Sequence, residues 1–381
     1  MFRAVKSISS AIILTIIFAA QVWAADWDRA VKLYNKGEFR SALAEFQDIV
    51  LERPDAAGAW YYIGLCEFKL NRYDRVELPL NRAVDLLEIQ SPQSEEIAGA
   101  WYTIGLAYYL RSDYAKAVEP LNRYIEIVTK AKREVDPSAR AALGRSYFAL
   151  DRYDEALPLL SVEQPAATKK PKAGVTTEAA VSPEKSKDAA ANAYYIGVIH
   201  FKREDDDRAI PAFREAVKSK PEDVTAMELL AESLMRKARK SNSEAHWTEA
   251  AQVSEQLRSV RDDLKTANIL GRAYLGGKQF EKAVSSLEKL ARSEPENGQG
   301  WLFYGIALSR SGQLRKAMEA LEITIQLLPE SIPALSELAY VYESDKQYQQ
   351  ALRIYEKAYA LTNDASIKES IERVRVLASQ P

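Results

Sequence analysis

The chain has 381 residues, 47% of them apolar, with 52 basic against 54 acidic side chains and a formal net charge of -2. That balance excludes the basic field by which proteins hold nucleic acid or anionic lipid. Cys66 is the only cysteine, so no internal disulfide can form and the fold must rest on apolar packing.

Arg3 and Lys6 precede an apolar run from Ala11 to Ala20, and Val22-Trp23-Ala24 supplies a cleavage region. This pattern predicts a secretory signal peptide over residues 1–24. The run is shorter than the ~20 residues that span a bilayer, so an uncleaved anchor is the alternative and not the first reading. No later segment is long and apolar enough to cross a membrane. Cys66 lies far from the cleavage region, so a lipid-attachment cysteine is lacking there. The expected compartment is a bacterial periplasm, because a eukaryotic secreted chain of this size more often carries disulfides.

From residue 25 onward, small residues recur in phase: Ala30, Gly64, Gly105, Gly144, Gly197, Ala231, Gly271, Gly305 and Ala339. The steps from Ala30 to Gly64, from Gly197 to Ala231, from Gly271 to Gly305 and from Gly305 to Ala339 are identical in length. Aromatics crowd the residues before the small one, as in Trp60-Tyr61-Tyr62-Ile63-Gly64, Trp101-Tyr102-Thr103-Ile104-Gly105 and Trp301-Leu302-Phe303-Tyr304-Gly305. A second small residue follows twelve positions later at Ala42, Ala117, Ala156, Ala209, Ala283, Ala317 and Ala351, with Val76 the larger exception. Proline closes several units at Pro54, Pro221, Pro295 and Pro329, always at the same distance after the small residue.

This pattern resembles the tetratricopeptide repeat, a 34-residue helix-turn-helix marked W-x2-L-G-x2-Y, A-x3-F and P. Trp101, Ile104, Gly105, Tyr108, Ala117 and Leu121 follow it closely, and Phe46, Phe213 and Tyr355 hold its A-x3-F aromatic place. The resemblance implies an all-α fold: a right-handed α-solenoid of about nine helix-turn-helix units with a C-terminal cap helix. A mid-helix glycine costs about 1 kcal/mol relative to alanine. Forcing a larger side chain between two packed helices costs about 1 to 3 kcal/mol. Alanine at Ala30, Ala231 and Ala339 therefore points to a demand for smallness and not for glycine's unusual backbone angles.

Three intervals exceed the common step, from Gly64 to Gly105, from Gly105 to Gly144 and from Ala231 to Gly271, and their extra residues read chiefly as longer solvated helix ends. The interval from Gly144 to Gly197 is the longest and contains a Pro, Ala, Lys and Thr-rich stretch without apolar periodicity, which predicts a disordered linker over 161–188. The expected organisation is a signal peptide (1–24), a block of about four units (25–160), the linker, a block of about five units (189–363) and a cap helix (364–381). In that last segment Ile367, Ile371, Val374 and Leu377 share one face.

No catalytic or cofactor motif appears. His200 and His246 are the only histidines, and neither has metal-ligand spacing with Cys66. The run Glu204-Asp205-Asp206-Asp207 lacks the alternating ligands of a calcium loop and reads as a helix cap. Arg236, Lys237, Arg239 and Lys240 read as a solvated helix end. The predicted catalytic, cofactor and metal sites are accordingly none.

By the family's pattern, the residues one, five and eight places after the tryptophan site line a concave groove. Here they include Trp27 and Tyr34, Tyr61 and Phe68, Tyr102 and Tyr109, Phe148, and Tyr194 and Phe201. The first five units thus have an aromatic lining, while Asn268, Arg272, Arg310, Glu337 and Glu343 make the later units polar. The lysines and asparagines with which chaperone-binding members clamp a peptide carboxylate are not reproduced. The expected function is a non-enzymatic protein-protein interaction scaffold of the bacterial cell envelope, taking an extended peptide or partner helix in the groove. The alternative is a glycan-binding scaffold of an envelope polysaccharide apparatus.

Overall fold

The computed structural model describes residues 26–161 and 185–379, without side chains for 185–191. The expected signal peptide lies outside these residues, as does most of the expected linker, whose last residues, 185–188, already belong to a helix. Among the described residues there is no strand, and no helix is long and apolar enough to cross a membrane.

The chain divides into two compact units, residues 1–195 and 196–381. Unit 1 contains α1 (residues 26–35), α2 (Phe39–Glu52), α3 (Ala57–Lys69), α4 (Glu77–Gln90), α5 (Glu95–Leu110), α6 (Tyr114–Lys130), α7 (Pro137–Ala149) and α8 (Tyr153–Leu160). It also takes α9 (Lys185–Lys202) as far as Tyr195. Unit 2 continues with α10 (Asp206–Ser219), α11 (Val224–Ser241), α12 (Glu244–Val260), α13 (Leu264–Gly276) and α14 (Phe280–Ser293). It ends with α15 (Gly298–Arg310), α16 (Leu314–Leu327), α17 (Ile332–Ser344), α18 (Tyr348–Thr362) and α19 (Ala365–Ala378). The odd-numbered helices from α1 to α17 carry the repeat's small residue. Each of these packs on the even-numbered helix that follows, and α3, α5 and α7, like α11, α13, α15 and α17, also touch in succession.

The recurring glycine sits where two helices of a pair meet. A Cβ added at Gly105, Gly271 or Gly305 would lie 2.6, 2.5 or 2.7 Å from Leu121, Leu287 or Leu321, in each case the residue sixteen places on. Gly197 faces Phe213 at 2.6 Å in the same register. None of these glycines has a positive φ, so the repeat needs the missing side chain and not a special backbone conformation. Ala30, Ala231 and Ala339 fill the same place fully buried.

Chain ends of the pairs follow from local chemistry. Pro54, Pro221, Pro295 and Pro329 each come directly after the C-cap residue of α2, α10, α14 and α16, where proline cannot prolong the helix. The indoles of Trp60 and Trp301 donate back to the carbonyls of Pro54 and Pro295, at 2.9 and 3.0 Å. The long intervals are absorbed largely by longer helices, with 17 residues in α6 and 18 in α11 against 13 in α15. Ile367, Ile371 and Val374 of α19 bury against Leu335, Ala351 and Tyr355, while Leu377 is only half-buried.

Candidate functional site

The predicted lining lies on the odd-numbered helices α1 to α9. Its geometry in unit 1 comes from two recurrent contacts. The first joins one odd helix to the next. Trp27, three places before Ala30, lies on Gly58, where an added Cβ would be 2.9 Å from its ring. Tyr61, three before Gly64, lies in the same way on Gly99. Tyr102, three before Gly105, has its hydroxyl near Ser138 and Asp136 at the start of α7. Gly58, Gly99 and Ser138 are each six places before their own repeat glycine, so a ring on one helix meets a small residue on the next.

The second contact closes the turn inside a pair. Tyr34 meets Phe39, Phe68 meets Tyr73, Tyr109 meets Tyr114 and Phe148 meets Tyr153, with ring centroids 5.4, 5.4, 6.0 and 5.7 Å apart. The two members of every pair stand five places apart in sequence.

These contacts take up much of the predicted lining. Tyr61 and Phe68 are buried at 8% and 5% exposure. Trp27 and Tyr34 are half-buried against a core formed with Phe46 and Tyr62, whose rings stack 4.9 Å apart. Tyr102, Tyr109, Phe148 and Tyr194 are also half-buried. Burial raises the pKa of the Tyr34, Tyr61 and Tyr102 hydroxyls well above the ordinary phenol value, so all three stay neutral. It also pushes the buried Cys66 thiol up to about 12, away from nucleophilic chemistry.

One side chain on this face escaped prediction. Arg145 follows Gly144 directly and donates through Nε and Nη2 to Oδ1 of Asn192, at 3.2 and 2.9 Å. Its guanidinium lies 5.6 Å over the Tyr195 ring and 3.5 Å from the Tyr109 hydroxyl. The available signal was a charged residue directly after a repeat glycine, which recurs at Arg272.

Phe201 falls in unit 2, where charge replaces the rings. The Arg236 guanidinium covers Phe201 at 4.4 Å and grips the buried Asp206 at 2.6 Å. Lys237 pairs with Asp207 at 2.8 Å. The acidic and basic runs seen in the sequence therefore pair with each other, and Asp205 caps α10 by accepting from the Arg208 amide. Further along, Lys265 pairs with Glu228 at 2.6 Å, Arg272 with Glu232 at 2.7 Å, Arg310 with Glu337 at 2.9 Å and Arg373 with Glu343 at 2.8 Å. Arg272 and Arg310 also lie over the rings of Phe303 and Tyr340. His200 is buried, with Nδ1 3.4 Å from Asp205. Among the described residues no His, Cys, Asp and Glu group is arranged to hold a metal.

A tetratricopeptide repeat model matches residues 28–95, 194–252 and 270–332, and a second matches 334–369. The chain belongs to the tetratricopeptide repeat family. Residues 96–193 lie outside these matches, yet α5 to α8 keep the same pairing and the same buried glycines, Gly105 and Gly144. Solved structures similar to this tetratricopeptide repeat protein include MamA from Desulfovibrio magneticus RS-1, at 20% identity over 48% of this chain and 97% of that one, with a TM-score of 0.41. They also include YrrB, described as a TPR protein with an unusual peptide-binding site, at 16% identity over 50% and 95%, with a TM-score of 0.42. The C-terminal part of a TPR repeat-containing protein from Cytophaga hutchinsonii matches at 20% identity over 70% and 98%, with a TM-score of 0.44. No curated protein matches the sequence.

Proposed function

We propose that this tetratricopeptide repeat protein is a non-enzymatic interaction scaffold that holds an extended peptide or a partner's helix on the odd-helix face of unit 1, and that it works in the bacterial periplasm after export. The family is one of protein-interaction scaffolds, and the export reading rests on the pattern of residues 1–24. The observation that carries the site is the set of rings left half-buried there: Tyr102, Tyr109, Phe148 and Tyr194. Tyrosine and phenylalanine offer large contact areas at low entropic cost. Leu110, exposed at 47%, extends the apolar surface beside Tyr109.

Tyr61 and Phe68 are poor test positions, because their truncation removes core packing. The test is capture from solubilised envelope by the immobilised mature chain, with wild type compared to Tyr109→Ser combined with Phe148→Ser. Loss of the captured species with unchanged helical circular dichroism supports the reading, whereas equal capture rejects it. Cell fractionation checks the compartment, and recovery in the cytoplasm would reject export.

A further inference from the structure

Two clefts flank α4 in unit 1, and neither contains a residue of the aromatic lining on the odd-numbered helices, such as Tyr61, Tyr102 or Tyr109. The first, of about 560 Å³, is walled by Trp60 of α3 and by Leu78, Arg82 and Asp85 of α4. The second, of about 520 Å³, is walled by Trp101 and Tyr108 of α5 and by Lys116 and Glu119 of α6. Glu77 and Asn81 line both. Each volume falls in the range that holds a small ligand.

Trp60 and Trp101 stand four places before successive repeat glycines, so the repeat itself presents an indole to each cleft. Both indoles are fixed. Trp60 donates to the Pro54 carbonyl, and the Arg123 guanidinium lies 4.8 Å over Trp101. Acceptors surround them. Glu77 lines the same cleft as Tyr108, and its carboxylate is an acceptor-only group with several lone-pair sites. Pro120, inside α6, has no N–H, so the carbonyl of Lys116 loses its helical donor beside the second cleft. Three carboxylates, from Glu77, Asp85 and Glu119, stand against two cations, Arg82 and Lys116, so the lining selects strongly for neither sign of charge.

A ligand suited to this lining presents many hydroxyl donors and an apolar C–H face at once. We propose that the two clefts bind a neutral oligosaccharide of two or three pyranose rings, laid across α4 with rings on Trp60 and Trp101 and hydroxyls on Glu77 and Asn81. The site is independent of the peptide reading, since the two share no residue. Unit 2 supplies an internal control: around Trp301 the places of Glu77 and Asn81 are taken by Met318 and Glu322.

The test titrates the mature chain with cellotriose, maltotriose and chitotriose and follows tryptophan fluorescence and binding heat. At least one trisaccharide should bind saturably, with a dissociation constant on the order of 1 mM or tighter. Trp101→Ala should weaken that binding about tenfold, the loss expected for removing one aromatic contact. Asn81→Ala, a smaller change, should weaken it while leaving the melting temperature unchanged, and Trp301→Ala should leave binding intact. Absence of a saturable signal with all three sugars, or undiminished binding by folded Asn81→Ala and Trp101→Ala, overturns the proposal.

Discussion

Two joints show how the units differ. In unit 1, Tyr61, three places before its repeat glycine, lies on Gly99, six places before the next one. In unit 2 the equivalent places hold Glu228 and Lys265, whose charged groups meet at 2.6 Å. The turns differ in the same sense: Phe68 packs on Tyr73, but Phe201 lies under Arg236 beside Asp206. One helical repeat thus tolerates two chemistries on the same face, with different consequences for a partner. An ion pair is already satisfied within the chain, and covering it costs desolvation. A half-buried ring gains about 25 cal/mol for each Å² of apolar surface that a partner removes from water. These terms support the proposal that a partner docks on unit 1.

The contrast is confined to that face, and its limits can be tested from the largest expected effect to the smallest. Phe46 in unit 1 and Phe213 in unit 2 occupy the same place, sixteen positions after the small residue, and both are fully buried. Truncating either to alanine should cost about 3 to 5 kcal/mol in denaturant unfolding. Strongly unequal losses would show that the units differ in their cores too. Gly305→Leu should cost about 1 to 3 kcal/mol through its collision with Leu321. A melt matching wild type would remove the close-approach explanation of the repeat glycine.

The ring-on-glycine joint makes a sharper prediction through a sign change. Gly99→Ala should destabilise the wild type because the new Cβ meets the Tyr61 hydroxyl. In a Tyr61→Ala background the same change should stabilise by up to about 1 kcal/mol, the helix preference of alanine over glycine. Equal effects in both backgrounds would mean that the two residues are not coupled.

Acid should separate the units by a smaller margin. The hydrogen bond from Arg373 holds the Glu343 carboxyl below its ordinary 4.5, and a hydrogen bond from Lys237 lowers Asp207. A carboxylate with a lowered folded pKa stabilises above its unfolded pKa, and that contribution is lost as pH falls through the folded value. Hydrogen exchange in α11, α17 and α19 should therefore rise below pH 4.5 before exchange in α3 and α5 does. Simultaneous loss of protection would contradict the charge-based joint. Glu232→Gln, which breaks a partly exposed pair with Arg272, should cost no more than about 1 kcal/mol.

The period made the helices legible: a small residue recurring in phase and a proline after the second helix both arise from local packing and chain termination. That Tyr102 and Tyr109 share one side of a helix was legible from their spacing, whereas the choice of that side as a groove came from the resemblance to the family. How deeply each ring is buried was not. Tyr61 disappears because Gly99, on the next odd-numbered helix, admits its ring, and that depends on a pairing of positions across two repeats. The pairing of the Asp206 run with the Arg236 run was hidden for the same reason, since each run taken singly reads as solvated surface.

Photo-crosslinking in living cells tests the docking claim most directly. A benzophenone side chain placed at Tyr109 or Phe148 of unit 1 is compared with one at Phe303 or Tyr340 of unit 2. The account predicts adducts to a common partner segment from Tyr109 and Phe148, and none from Phe303 and Tyr340. Adducts formed only from the unit 2 positions would contradict it.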